Sequence, residues 1–426
     1  MRILILGGNG FIGSAVAQRL AGAGHDIVAL ARDAAAASRR MPALAWRQAD
    51  LAAMTRASAW TGWLDGVEAV VNCAGVLQDG ARDHVDAVQR QAMLALYAAA
   101  ATARPLIVQI SARTEGAASA TPFLATKRQA DAALKASGLA HVILRPAVVV
   151  GRNAHGGTAL LRMLAGFPGL TPLVHADAGM QFAALDDVAD AALDAIEGRV
   201  APGADIDIAH PEVLTLAQAV AAHRAWLGLP PARRVDVPDG LARIAARVAD
   251  GLGALGWRSP LRSTALVAAS GGVRAESSAL SGRWRGLHET LALHPAGVQD
   301  VWFARLYLLK PLLIGTLSLF WLVSGFVALA RLDAAAALLV DAGLPAAAAG
   351  PLAVLTALAD IALGLLVLAR RTAALALLGM VAVSLAYLAA ATLLSPHLWA
   401  DPLGPLVKVV PAIVLALAAR AVLDER

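Results

Sequence analysis

RILILGGNGFIG, Arg2 to Gly13, decides how this chain folds. RILIL is a short run of aliphatic residues, as a buried strand requires. Gly7, Gly10 and Gly13 follow it in G-x-x-G-x-x-G spacing, and the apolar-periodic SAVAQRLAGAG comes next. A strand, a glycine turn and a helix start in that order make a phosphate cradle. The turn needs permissive backbone angles, the phosphates approach the backbone closely, and the helix must pack tightly on its strand. The helix N-terminus then offers amide donors and a partial positive charge. The segment therefore predicts a dinucleotide site at Gly7, Gly10, Phe11, Ile12 and Gly13.

Working outward, DIVAL, AVVN, LIVQI and HVILR are further β-rich runs, and segments such as KRQADAALKASG between them read as helices. This alternation predicts an α/β domain, a doubly wound parallel sheet with helices on both faces. The end of the second strand is diagnostic. An acidic residue there holds the ribose hydroxyls of NAD, whereas an arginine suits a 2′-phosphate. The sequence reads VALARDAAAASRR, so Arg32 favours NADP(H) over NAD(H), with Asp33 as a competing ribose partner. Asp50, in ADL, is expected near the adenine. Asn72, Ala74 and Gly75, in NCAG, end the fourth strand, where backbone would pass under the cofactor. Cys73 there reads as a small packed residue rather than a reactive thiol.

The C-terminal part is different. The 426 residues are 58% hydrophobic with a mean hydropathy of +0.63, and the apolar excess is concentrated after residue 310. Stretches at about 311–330, 350–369, 372–394 and 405–423 each approach the ~20 residues that cross a bilayer core, and predict an all-α transmembrane four-helix domain. Arg305, Lys310, Arg370, Arg371, Arg420 and Arg426 flank one side; Asp333, Asp341, His397 and Asp401 lie on the other, with Arg331 the exception. That bias predicts a multi-pass protein of a bacterial-type inner membrane with the nucleotide domain and both termini cytoplasmic. Leu332–Ala347 is too short to span and is expected in the interface. Asp360 falls mid-span, where an ionisable group needs a partner or a cavity; Lys408 is a candidate partner, and also a candidate for snorkelling.

Other classes are disfavoured. The formal net charge is +5, but no Lys/Arg-rich run with interleaved aromatics suggests nucleic acid. The single cysteine permits no intrachain disulfide. RILIL already reads as a strand, so no signal peptide is expected. No metal site is expected. The organisation expected is a nucleotide-binding domain over 1–230, a helical connector over 231–305 and a membrane domain over 306–426, with residues 205–300 mostly helical. An aspartate in QFAALDDVADA is the expected N-cap of a helix.

GGNGFIG, NCAG, the serine in IVQISA, FLATK and RPAVVVG together resemble the short-chain dehydrogenase/reductase superfamily in its extended and atypical branches. WLVSGFVAL, LADIALGLLVLARR and LWADPLGPLVKVVPA resemble the DoxX-like four-helix membrane family. The first resemblance implies a Rossmann-type fold, a contribution of Pro146 to the cofactor site, and catalysis by serine, tyrosine and lysine. Ser111 would polarise the substrate oxygen, and Lys127 would hold the nicotinamide ribose and lower the pKa of a phenol one turn before it. That position holds Phe123, which has no proton to give. Tyr97, Tyr307 and Tyr387 are the only tyrosines, and none precedes a lysine by four. Thr121, Ser119 and Arg113 are nearby polar groups that could partly substitute. Two readings stay open: an oxidoreductase acting on a quinone or lipid-like substrate without a tightly coupled proton, and a non-catalytic NADP(H)-binding sensor or assembly protein. The protein partner is left unassigned.

Overall fold

A computed structural model describes residues 1–80, 83–113, 121–257, 261, 263 and 284–423. The chain divides into two compact units, Met1–Gly251 with Ser259–Ala304, and Leu252–Arg258 with Arg305–Arg426.

The first unit begins β1 (Arg2–Leu6), α1 (Phe11–Gly22), β2 (Asp26–Ala31), α2 (Ala34–Arg40), β3 (Ala45–Gln48), β4 (Ala69–Asn72), α3 (Ala92–Ala103), β5 (Leu106–Ile110), α4 (Pro122–Ala136) and β6 (His141–Pro146). It continues with β7 (Val148–Val150), α5 (Gly157–Ala165), β8 (Leu170–Leu173), β9 (Gly179–Met180), β10 (Phe182–Ala184), α6 (Leu185–Ile196) and β11 (Asp205–Ile208). After these come β12 (Leu214–Thr215), α7 (Leu216–Trp226), β13 (Arg233–Asp236), most of α8 (Asp239–Ala254) and α9 (Leu287–Leu293).

Seven strands form one parallel sheet in the order β11-β6-β5-β4-β1-β2-β3. One face packs on α1 and α6, where Val16, Leu20, Val188 and Ile196 meet Ile3, Ile5 and Val71. The other packs on α3 and α4, where Met93, Leu96 and Leu134 meet Leu4, Val70 and Ile107. Strands covered on both faces must be apolar along their whole length, which is why RILIL and AVVN are continuous rather than alternating. Strand order reverses between β1 and β4, the place where ligands of such sheets bind, at the carboxyl ends of the strands. Register brings those ends level: Leu6 pairs with Asn72, Asn72 with Gln109, and Ile110 with Leu144.

Two expectations need correction here. Residues 205–300 are not mostly helical at their start, because DIDI at Asp205–Ile208 completes the sheet against β6. A four-residue edge strand has too little periodicity to announce itself; its pairing partner decides it. The N-cap of α6 is Ala184, with Asp186 and Asp187 in the first turn. Asp187 instead accepts from the Arg285 backbone N–H at 2.6 Å. The short strands pair as β7–β10, β8–β13 and β9–β12, and with α5, α7 and α9 enclose a second core around Leu161, Phe182, Leu214 and Leu287.

The second unit holds most of α10 (Val298–Ala330), then α11 (Leu332–Asp341), α12 (Ala346–Leu366), α13 (Ala373–Leu394) and α14 (Val409–Ala421). Among the described residues three helices are long and apolar enough to cross a membrane: Leu309–Ala330, Ala346–Leu366 and Ala373–Leu394. The fourth expected span, 405–423, is shorter than the sequence suggests. Residues 405–408 form a turn that begins at Pro405, leaving a 13-residue helix of roughly 20 Å. The long helices approach closely through small residues. A Cβ on Gly325 would lie 2.6 Å from the Ala357 carbonyl oxygen, and one on Gly364 would lie 2.9 Å from Leu322.

Candidate functional site

The glycine turn is built as a dinucleotide cradle requires. Gly7 has a φ of +70°, and a Cβ there would meet the Ala74 backbone at 3.0 Å. A Cβ on Gly13 would lie 2.1 Å from the Gly7 carbonyl oxygen, so any other residue would push α1 off the turn. Gly10 closes the turn with an N–H to the Gly7 carbonyl at 3.0 Å and stands at the N-cap of α1. Phe11 stacks on His155 with ring centres 5.5 Å apart, and Ile12 packs toward the sheet. These residues fit a pyrophosphate at the start of a 12-residue helix.

The second-strand end presents Arg32 half-exposed, with one guanidinium N–H on Asp83 at 2.9 Å. Asp33 uses a carboxylate oxygen to cap α2, accepting from Ala36 N–H at 2.8 Å. Asp50 likewise caps the turn at Leu51–Ala53. Asn72 lies buried beneath the strand ends, where its amide donates to Gln109 and its oxygen accepts from Ala74 N–H. Gly75 leaves room beside Lys127 and Gln89: a Cβ there would be 4.0 Å from the lysine Nζ and 3.6 Å from the Gln89 oxygen. Pro146 ends β6 opposite Ile208.

Helix α4 presents the other half of the site. Its first turn opens with Pro122, a residue suited to that position because its missing N–H would be unpaired there anyway. Phe123, Lys127 and Asp131 follow at four-residue spacing and share one face. The Lys127 ammonium lies 5.8 Å from the Phe123 ring centre and donates to the Ile110 carbonyl at 2.9 Å. Burial holds its pKa below the ordinary lysine range, opposed by the attraction of Asp131 and of Cys73. Burial also pushes the Cys73 thiol up to about 12, with Lys127 pulling the other way. A thiol held up in this way stays protonated at neutral pH.

The Ser111 hydroxyl donates to Asp131 at 2.5 Å, and Asp131 pairs with Arg145 at 2.8 Å. Arg145 in turn holds Asp205 at 2.6 Å. Asp131 and Arg145 were not among the expected site residues. The one available signal is spacing, since Asp131 falls one turn beyond Lys127 on the same face. Gln89 is a third such residue, bridging the Thr126 hydroxyl and the Val76 N–H.

Of the suggested substitutes for the missing phenol, Arg113 and Thr121 lie among the described residues. Arg113 pairs with Asp207, and Ser119 lies outside the described residues. Thr121 stands at the N-cap of α4. Tyr97 is buried in the core, within 3.5 Å of the Gln109 oxygen, and burial raises its pKa.

In the second unit Asp360 is bound by hydroxyls from two other helices, Ser324 at 2.9 Å and Tyr387 at 3.0 Å. The expected pairing with Lys408 is not found among the described residues; Lys408 is exposed at the N-cap of α14. At one end of this unit Lys310 and Arg370 both donate to the Leu423 carbonyl, at 3.2 and 2.9 Å.

Residues 3–209 match the family model described as the NAD dependent epimerase/dehydratase family, and residues 318–417 match that of the DoxX-like family. No curated protein matches the chain. Among solved structures, Pal from Bacillus thuringiensis is 14% identical with a TM-score of 0.52, over 69% of this chain and 98% of that one. A UDP-glucose 4-epimerase from Thermotoga maritima, solved with UDP-glucose, is 19% identical with a TM-score of 0.46, over 56% and 87%. A UDP-glucuronic acid 4-epimerase from Bacillus cereus in complex with NAD is 16% identical with a TM-score of 0.47, over 55% and 87%. At 14% identity the likeness to Pal is one of fold.

Proposed function

Because the chain joins an NAD dependent epimerase/dehydratase-type domain to a DoxX-like one, we propose that it holds a nicotinamide dinucleotide at a bilayer, as an oxidoreductase whose proton step does not use residue 123. The observation that carries this reading is the pairing of an intact glycine cradle with Phe123 on the α4 face. When bound, the nicotinamide supplies or accepts hydride. The glycine turn binds the phosphates, Lys127 faces the ribose side, and Phe123 offers only an apolar wall. Acceptors that need no tightly coupled proton, such as a quinone or a lipid-like molecule, suit this arrangement best. General acid–base help is worth about 10²–10⁴ in rate, so acceptors that depend on it are expected to turn over poorly.

NADP(H) is favoured over NAD(H), because Arg32 is half-exposed at the second-strand end while Asp33 caps α2. The basic groups gathered at Leu423 support a cytoplasmic placement of that end of the helical unit, and with it of the nucleotide domain and both termini.

A second reading has its own support. The Ser111 hydroxyl is given to Asp131, so the group that would polarise a substrate oxygen is engaged within the protein. This favours a nucleotide-binding sensor or assembly protein without turnover. The two readings separate in one experiment on the full chain in mild detergent. Nucleotide binding with oxidation of NADPH by a soluble quinone supports the first. Binding without transfer to quinone or carbonyl acceptors supports the second.

A further inference from the structure

Helix α8 exposes an apolar stripe that stays open among the described residues. Leu241, Ile244, Val248 and, just beyond its last residue, Leu255 are 60%, 61%, 59% and 44% exposed. Their spacing of three, four and seven residues places them within one narrow sector of the helix. Ala246 and Ala249, on another sector, are 2% and 6% exposed, so the helix packs by its small residues and turns its large ones outward. Arg243 and Arg247 lie one turn apart and flank the stripe.

The chain that leaves this helix, Leu252–Arg258, is part of the second unit. The Leu255 carbonyl accepts from the Arg370 N–H at 3.0 Å, and the Trp257 indole donates to the Leu368 carbonyl at 2.6 Å. Leu368 and Arg370 belong to the link between α12 and α13, two of the three helices of spanning length. The Trp257 ring also faces Lys310 and Arg370, at 5.7 and 5.9 Å. An aromatic beside cations at the end of spanning helices marks the level of the headgroups.

We propose that α8 lies in the plane of the bilayer surface, with Leu241, Ile244 and Val248 among the lipid acyl chains and Arg243 and Arg247 against anionic headgroups. Anchoring at Leu255 and Trp257 brings the helix to the interface, the apolar stripe matches its acyl side, and the two arginines match its charge. A second copy of the chain would answer the apolar stripe but not the flanking arginines, so the bilayer is the better occupant. The proposal rests on the three long helices being membrane spans.

The test uses the full chain in phosphatidylcholine–phosphatidylglycerol vesicles, with spin labels on single cysteines in a Cys73→Ala background. Labels go at Ile244→Cys and Val248→Cys on the stripe, and at Leu355→Cys on the exposed face of α12 as a reference for the span. Labels at 244 and 248 are expected to be relaxed several-fold more by oxygen than by a water-soluble nickel chelate. Arg243→Glu with Arg247→Glu is expected to shift them toward the chelate. A lipid-facing label at 355 with water-facing labels at 244 and 248 overturns the proposal and leaves the spans intact. Spin–spin broadening at 244 and 248 overturns it in favour of a second copy. A water-facing label at 355 overturns the membrane reading itself.

Discussion

Lys127 follows Phe123 by one helical turn, and its ammonium stands 5.8 Å from that ring while donating to the Ile110 carbonyl at 2.9 Å. In the function proposed above, Lys127 serves the nicotinamide ribose and Phe123 leaves it no phenol to activate. Under that reading the pair marks a site that binds nucleotide and is altered for proton transfer.

Phe123→Tyr restores a hydroxyl one turn before Lys127. NADPH-dependent carbonyl reduction, followed by nicotinamide absorbance, is expected to rise by about 10²–10⁴-fold. Unchanged rates with unchanged nucleotide affinity would show that the engagement of Ser111 by Asp131 blocks the substrate side.

Asp131→Ala removes the acceptor of Ser111 and one partner of Arg145 within a buried cluster. Breaking a buried pair leaves an uncompensated charge. Arg145 retains Asp205, so the loss is expected near the low end, about 3 kcal/mol, read by thermal unfolding in detergent. A change below the error of the measurement would mean that water replaces the carboxylate.

His223 is fully buried on α7, its Nδ1 within 2.8 Å of the Ala219 carbonyl, and burial lowers its pKa from 6.5 to about 4. The folded state then binds fewer protons than the unfolded chain, so stability falls as pH drops from 6.5 toward 4. Complete protonation costs on the order of 3 kcal/mol. His223→Phe is expected to flatten the thermal-unfolding profile across that window. An equally steep profile in the variant would assign the dependence to other groups.

Tyr387→Phe and Ser324→Ala each remove one hydroxyl from Asp360 within the helical unit. Hydrogen bonds between membrane helices are modest, and each loss is expected to cost about 0.5–1.5 kcal/mol in detergent unfolding. Additive losses would contradict the idea that both hydroxyls act through one carboxylate.

How much of this was legible in the sequence depends on how local each cause is. Gly7 and Gly13 announce their turn because the backbone there tolerates nothing larger, and the match at residues 3–209 agrees. Phe123 and Lys127 are legible as a helical pair from spacing alone. Asp131 shares that spacing, but its engagement of Ser111 depends on α4 crossing the end of β5, which no local pattern states. The strand at Asp205–Ile208 is fixed by its neighbour β6 rather than by its own four residues. The fourth span read as long because hydropathy averages over Pro405 and the three residues after it, which form a turn before the helix begins at Val409. Asp360 found hydroxyls on Ser324 and Tyr387 where sequence offered Lys408 as the nearest cation. Helix partners are set by packing, and charge alone does not choose them.

Titration of the purified full chain in mild detergent with NADPH and NADH, beside Gly13→Ala, tests the central claim most directly. The account predicts saturable binding with NADPH tighter than NADH, lost in Gly13→Ala because the new Cβ would meet the Gly7 carbonyl at 2.1 Å. No binding of either nucleotide to the parent chain, or equal binding by the variant, would contradict it.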